Sequence, residues 1–134
     1  MDEKKQPRIK ILVACHKADP NIRQDDIYMP IQVGKALHPE LDLGFQCDNT
    51  GDNISEKNGS YCELTALYWA WKNLKDVDYI GLCHYRRYFK MTNAELSKIA
   101  KYTALTRITG NFYPAFSKLN YRKNEVAVFI KLLF

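Results

Sequence analysis

The sequence predicts an α/β fold in which a parallel sheet is flanked by helices, and three observations lead to it. Ile9 to Cys15 is a run whose second half is apolar on both faces, which is typical of a buried parallel strand. Residues 64–74 carry apolar side chains at helical spacing, and Tyr79 to Cys83 is a second short apolar run. Strand, helix and strand in this order form half of a nucleotide-binding α/β arrangement with a right-handed crossover.

Length and charge restrict the class of protein. The chain of 134 residues fits one domain with a modest core. Acids and bases balance before residue 91, so the net charge of +5 lies in residues 91–134. A nucleic-acid-binding protein would spread its bases over the binding face, which argues against that class. No run reaches the ~20 apolar residues of a membrane-spanning helix, and we expect a cytoplasmic protein.

Between the two strands the sequence predicts an irregular connection. Tyr28 to Val33 is a short extended piece, which Pro30 restricts to an edge or irregular position. Asp48 to Asn53 is acidic and rich in turn residues. A calcium loop is disfavoured there, because the sixth position lacks Gly and the twelfth lacks Glu. We interpret this segment as a solvated loop near a ligand.

The helix between the strands begins with the pattern of a capping box. In such a box the Ser60 hydroxyl and the Glu63 carboxylate would each satisfy a free backbone N–H. The start of the helix at residues 58–60 is also a predicted anion site. The apolar stripe expected to pack on the sheet comprises Leu64, Leu67, Tyr68, Trp71 and Leu74 or Lys75.

Polar residues follow both predicted strands directly. His16 follows the first strand, and His84, Arg86 and Arg87 follow the second. Ligands of parallel sheets bind beyond the carboxyl ends of the strands, so these residues are candidates for a binding site. Adjacent side chains of a strand point to opposite faces, so both arginines can face one ligand only if the strand has ended. The two histidines are either polar caps on strand ends or ligand contacts.

Several longer motifs resemble a known bacterial family. They are His16-Lys17, Tyr28 to Gly34, Asp52 to Ser55, Tyr61 to Asn73 and Asp78 to Phe89. Over residues 9–90 the chain resembles the N-terminal part of the uncharacterised-domain glycosyltransferases of capsular and exopolysaccharide loci. The resemblance implies a partial Rossmann-like sheet of the A type, flanked by helices and incomplete. It also implies sugar transfer from a nucleotide-sugar donor in capsule, exopolysaccharide or lipopolysaccharide biosynthesis.

The resemblance also implies partners and site residues. The acceptor would be a glycan or a lipid-linked glycan, with peripheral association at the inner face of the membrane. Other A-type transferases carry an Asp-x-Asp metal motif where this chain has His84-Tyr85-Arg86. The nucleotide-sugar-binding residues are expected to be His16, Asp52, Asn53, Asn58, His84, Tyr85 and Arg86.

The departure from Asp-x-Asp predicts how the leaving group is stabilised. An acid pair holds a divalent cation that neutralises the departing diphosphate. Guanidinium groups bind phosphate oxygens directly and stay charged. We therefore expect Arg86, supported by Arg87 and His84, to stabilise the leaving group without a metal. The sequence requires no cofactor, although it leaves room for a divalent cation.

Alternatives remain for individual residues. Asp52 has a local role available in a turn, and Glu63 has one in a capping box. The alternative for either residue is the role of a general base. A competing class of protein would use Cys15-His16 and Cys83-His84 as a zinc site, although neighbouring side chains on a strand diverge.

The domain organisation raises a further alternative. Residues 1–90 are expected to form the donor-binding half of a transferase, whereas residues 91–134 do not resemble the family's continuation. We interpret residues 91–134 as a basic tail of the kind that a truncation or frameshift leaves. The chain would then be a non-catalytic remnant that binds a nucleotide or nothing.

Overall fold

The computed structural model describes residues 8–89 and 92–97, and the backbone of residues 128–131. Its strands are β1 (Ile9–Cys15), β2 (Tyr28–Gln32), β3 (Gln46–Cys47), β4 (Tyr79–His84) and β5 (Val128–Lys131). A 3-10 turn at Ser55–Lys57 leads into α1 (Asn58–Tyr61), which is followed by α2 (Leu64–Asn73). The strands form one sheet of order β3-β2-β1-β4-β5. β1 to β4 are parallel and β5 is antiparallel to β4, which confirms the predicted α/β fold.

The central strand β1 supplies side chains to the core on both faces of the sheet. Ile11 and Val13 belong to one buried cluster, whereas Leu12 and Ala14 belong to the cluster on the opposite face. All four are almost fully buried. Successive strand residues point to opposite faces, so a strand that is apolar throughout needs cover on both sides.

The register between β1 and β4 brings their carboxyl ends to the same edge. At the other end of the pair, the Arg8 backbone N–H donates to Asp78 Oδ2 at 2.8 Å. Asp78 N–H in turn donates to the Arg8 carbonyl at 2.8 Å. Gly81 permits close packing, because an added Cβ would lie 3.1 Å from Ile11 Cγ1. In this register Ala14 lies opposite His84.

β2 is an interior strand, and the expected edge position was wrong. It pairs with β1 on one side and with β3 on the other. Among the described residues, however, β3 pairs only with Ile31 and Gln32. Pro30 is therefore paired with β1 but not with β3. This position suits proline, which has no backbone N–H to donate to a second strand.

The buried face of α2 agrees with the predicted apolar stripe only in part. Leu67 and Leu74 pack against the core cluster on the sheet, as predicted. The residues of α2 that are buried are Thr65, Ala66, Trp69 and Ala70. Leu64 and Trp71, which belonged to the predicted stripe, are 51% and 47% exposed. Small side chains let the helix backbone approach the sheet closely, and the one large residue finds a polar partner for its ring nitrogen. Trp69 Nε1–H donates to Thr50 Oγ1 at 2.8 Å.

The predicted capping box at residues 60–63 was also wrong. Ser60 lies inside the single turn of α1, and Cys62 has a φ of 50°, which interrupts the helix before α2 begins. Neither helix has a side-chain cap. A capping box does form between Thr92 and Glu95, whose backbone N–H groups each donate to the other's side chain at 2.7 and 3.2 Å. It opens a helical turn at residues 93–97.

Asp48 is fully buried, which corrects the prediction of a solvated loop at its position. Its carboxylate accepts hydrogen bonds from Gly34 N–H at 2.8 Å and Lys35 N–H at 3.1 Å. The hydroxyls of Ser55 and Thr65 donate to it at 2.5 and 2.7 Å. One carboxylate therefore ties the segment after β2 to the 3-10 turn and to α2.

Two further points concern the remainder of the chain. No helix in the described ranges 8–89 and 92–97 is long and apolar enough to cross a membrane. The predicted basic tail lies outside the described residues, apart from residues 92–97 and β5.

Candidate functional site

A tight turn at the end of β4 places two arginines side by side. Arg87 N–H donates to the His84 carbonyl at 2.8 Å, which ends the strand. Tyr85 N–H donates to the Ala14 carbonyl at 3.1 Å and holds the turn against β1. Because the strand has ended, Arg86 and Arg87 no longer point to opposite faces of the sheet. Both line one open pocket of about 490 Å³ together with His84 and Glu63.

Two further aromatic side chains, Tyr85 and His16, lie beside His84, although neither lines the pocket. The His84 and Tyr85 ring centroids are 4.4 Å apart, and the His16 centroid lies 5.5 Å from that of His84. Tyr85 is buried, and Arg86 Cζ lies 5.2 Å from the centre of its ring. The predicted residues His16, His84, Tyr85 and Arg86 are thus brought together at the carboxyl ends of β1 and β4.

The guanidinium groups of Arg86 and Arg87 have no acidic partner within the described part of the chain. Other arginines do: Arg8 pairs with Asp78 at 3.2 Å, and Arg23 pairs with Asp25 at 2.9 Å. Two exposed guanidinium groups in one pocket are free to bind an anion, and their planar donors match the oxygens of phosphate.

The surroundings of His84 favour the neutral form of its imidazole. Partial burial lowers its pKa, and the neighbouring His16, Arg86 and Arg87 lower it further, against an opposing effect of Glu63. Arg86 N–H approaches Nδ1 at 3.5 Å, a long contact. A bound anion would raise the pKa of His84, because it would offset the positive charge around the ring.

Glu63 reaches the pocket because the predicted capping box does not form. It directly precedes α2, whose first residues lie near the carboxyl edge of the sheet, and it lines the pocket beside His84. Within the described residues its carboxylate makes neither a hydrogen bond nor an ion pair. The sequence favours a capping role for Glu63 over the alternative of a general base, and its place in the pocket depends on where α2 begins.

Three predicted binding residues lie elsewhere and are engaged locally. The Asp52 carboxylate accepts from Tyr68 Oη–H at 3.1 Å, and its carbonyl accepts from Asn73 Nδ2–H at 2.8 Å. Asn73 ends α2 whereas Glu63 precedes it, and ten helical residues span about 15 Å. Asp52 therefore lies at the end of α2 far from the pocket.

The two asparagines have similar local roles. Asn53 Nδ2–H donates to the Gly51 carbonyl at 2.9 Å, while its Oδ1 accepts from Ser55 N–H at 3.1 Å. Asn58 Nδ2–H donates to the Cys62 carbonyl at 2.8 Å. Neither lines the pocket, and their part in nucleotide-sugar binding stays a prediction.

The alternative zinc site does not assemble in the residues that the structure describes. Cys15 and Cys83 are buried in the sheet, and burial raises the pKa of their thiols to about 11 and about 12. A zinc ligand has to be a thiolate, which these surroundings oppose. No group of three or more His, Cys, Asp or Glu residues in the described segments is placed to hold a metal ion.

Comparison with known proteins gives two matches. Residues 10–125 match the family described as a domain of unknown function, DUF4422. This match extends well past residue 90, where we expected the family resemblance to end; the change in charge near residue 91 therefore does not mark a boundary of the family. No curated protein matches the chain.

Among solved structures, the chain is similar to the apo structure of the bifunctional glycosyltransferase WbbM. The two are 45% identical with a TM-score of 0.56, over 63% of this chain and 15% of WbbM. The chain thus corresponds to a small part of that protein. At this identity and similarity, the described part has the Rossmann-like fold of a glycosyltransferase as a partial domain.

Proposed function

The chain belongs to the family described as a domain of unknown function, DUF4422, and we propose that it binds the nucleotide-sugar donor of a glycosyltransferase. The observation that carries the proposal is the pair of guanidinium groups, Arg86 and Arg87, in a pocket at the carboxyl end of β4. Parallel α/β sheets bind their ligands at this edge. The similarity to WbbM supports a sugar-transfer reaction.

Arg86 is proposed to stabilise the leaving diphosphate, with Arg87 beside it. During transfer, the bond between the sugar's anomeric carbon and the diphosphate oxygen breaks, and its electron pair passes to the diphosphate. The acceptor hydroxyl oxygen forms the new bond to that carbon and passes its proton to solvent water. Positive groups already in place where negative charge develops lower the barrier for such a step. Packing of Arg86 against the buried Tyr85 ring limits its freedom before the ligand arrives.

His84 is proposed to assist by donating a hydrogen bond from its neutral ring to a phosphate oxygen. This arrangement would make a divalent cation unnecessary for neutralising the leaving group. The cellular role that we propose is the synthesis of capsule, exopolysaccharide or lipopolysaccharide. A glycan or lipid-linked acceptor would be met in the cytoplasm at the inner face of the membrane, and the family resemblance supports this part.

Replacing Arg86 tests the proposed function. We expect Arg86→Ala to weaken binding of UDP-glucose or GDP-mannose about tenfold or more, since hydrogen bonds between charged groups are the strong ones. Titration calorimetry measures the affinity, and Lys57→Ala, which removes an exposed cation outside the pocket, is the control. Transfer activity that survives Arg86→Ala but is abolished by a chelator would show that a metal, not Arg86, stabilises the leaving group.

A turnover assay on the same protein separates the enzyme from the non-catalytic remnant. Release of nucleoside diphosphate from a bound nucleotide sugar supports a complete transferase. Binding without turnover supports a donor-binding remnant. Absence of binding by both nucleotide sugars would refute the proposed function.

A further inference from the structure

The candidate pocket contains one carboxylate, which attracts the neighbouring His84 electrostatically but makes no hydrogen bond or ion pair among the described residues. Three of its lining residues, His84, Arg86 and Arg87, are basic, and the fourth is Glu63. Within the described residues, the Glu63 side chain neither caps a helix nor pairs with either arginine. A pocket that served only to hold phosphate would bind it better without this carboxylate, because like charges repel at short range.

A carboxylate in such a pocket can interact favourably with a ligand that also carries hydrogen-bond donors. An ionised carboxylate only accepts hydrogen bonds, and it offers two oxygens for them. Neighbouring hydroxyls of a carbohydrate supply two donors at a spacing that one carboxylate can bind. Hydrogen bonds to a charged acceptor are stronger than those between neutral groups.

We propose that Glu63 accepts hydrogen bonds from the hydroxyls of a neutral carbohydrate joined to the diphosphate, so that the pocket selects glycosylated diphosphates over bare ones. This inference rests on the proposed function and adds the recognition of the uncharged part of the ligand. The hydroxyls belong either to the ribose of the nucleotide or to the sugar that is transferred. Both present the same chemistry to Glu63.

The inference restricts the class of sugar. If Glu63 contacts the transferred sugar, an acidic sugar would place its carboxylate against that of Glu63. Repulsion between the two carboxylates would weaken binding of such a donor, and specific sites reject wrong partners in this way. In that case the donor that fits carries a neutral sugar.

Glu63→Gln tests the inference, because it removes the charge and keeps the size of the side chain. We expect the variant to bind UDP-glucose or GDP-mannose about tenfold more weakly and inorganic pyrophosphate about threefold more tightly. The opposite signs of the two changes distinguish hydroxyl recognition from simple electrostatics. Titration calorimetry on the full chain measures all three affinities, and thermal melting shows that the variant is folded.

Free UDP and GDP identify the source of the hydroxyls. If the variant binds them more weakly, as it does the nucleotide sugars, then Glu63 contacts the ribose. If it binds them more tightly, as it does pyrophosphate, then Glu63 contacts the transferred sugar. In that second case the wild type prefers UDP-glucose to UDP-glucuronate, and the variant loses the preference.

The matched control is Glu56→Gln, which removes an exposed carboxylate on the 3-10 turn outside the pocket. It should leave every affinity unchanged. Tighter binding of all ligands by Glu63→Gln, or no change in any of them, would overturn the inference while leaving the proposed function intact. Failure of the wild type to bind either nucleotide sugar would overturn the proposed function and this inference with it.

Discussion

Two polar clusters lie near the start of α2, and they differ in whether their groups are satisfied. The Asp48 carboxylate is fully buried and accepts four hydrogen bonds from the surrounding chain. In the pocket, Glu63, Arg86 and Arg87 have no such partners among the described residues. A buried charge persists only when the fold satisfies it, whereas unpaired charges in an open pocket are available to a ligand. The first cluster therefore stabilises the fold, and the second is the candidate binding site.

The largest effect is expected at Asp48. Asp48→Ala would leave two backbone N–H groups and two hydroxyls without their acceptor, and we expect a loss of about 3–5 kcal/mol in the free energy of unfolding. Urea denaturation measures it. Asp52→Ala, which removes an exposed carboxylate from the same loop, is the control and should cost far less. A loss below about 1 kcal/mol at Asp48 would contradict the structural role assigned to this carboxylate.

A smaller effect is expected where α2 meets the loop that follows Asp48. Trp69→Phe keeps a buried ring but leaves Thr50 Oγ1 without the indole donor, and we expect a loss of about 1–2 kcal/mol from the changed packing and the hydrogen bond. Trp71→Phe, on the exposed side of the helix, is the control and should change the unfolding free energy by less than about 0.5 kcal/mol. Equal losses at the two positions would contradict the assignment of the buried face.

The smallest effect concerns the pH dependence of stability at the pocket. The pKa of His84 is lowered in the folded chain. As the pH falls through the usual histidine pKa of about 6.5, the unfolded chain therefore binds more protons than the folded chain does. The folded state therefore loses stability on acidification through this range. We expect the melting temperature to fall less between pH 7.5 and 5.5 in His84→Gln than in the wild type.

His38→Gln is the control for this pH experiment, because His38 is exposed and lies outside the pocket. It should keep the pH dependence of the wild type. A saturating nucleotide sugar should reduce the wild-type loss, since a bound anion raises the pKa of His84. If His84→Gln keeps the full pH dependence, His84 is not the titrating group.

Much of the fold could be predicted because apolar patterning reports burial. Ile9 to Cys15 is apolar on both faces, and only a central strand of a covered sheet meets that requirement. The apolar spacing of α2 indicated a helix and placed Leu67 and Leu74 against the core, but it did not identify the most buried residues. Ala66 and Ala70 contribute little hydrophobicity to the pattern, yet their small size is what lets the helix approach the sheet.

The candidate site was predicted in part for a related reason. His16, His84 and Arg86 follow strands, and parallel strands bring their carboxyl ends together. Whether Arg87 joins them depends on the turn between His84 and Arg87, which the hydrogen bond from Tyr85 N–H to the Ala14 carbonyl holds against β1. Apolar patterning shows which residues follow a strand. It does not show at which residue the strand ends.

The sequence by itself determined the parallel strands β1 and β4, the edge at which polar residues collect and the presence of two arginines there. These features depend on residue type and spacing along the chain. The tertiary structure decided which carboxylate is structural and which faces the pocket. Asp48 and Glu63 have the same chemistry, and their roles differ because folding brings four donors to Asp48 and leaves Glu63 beside unpaired guanidinium groups.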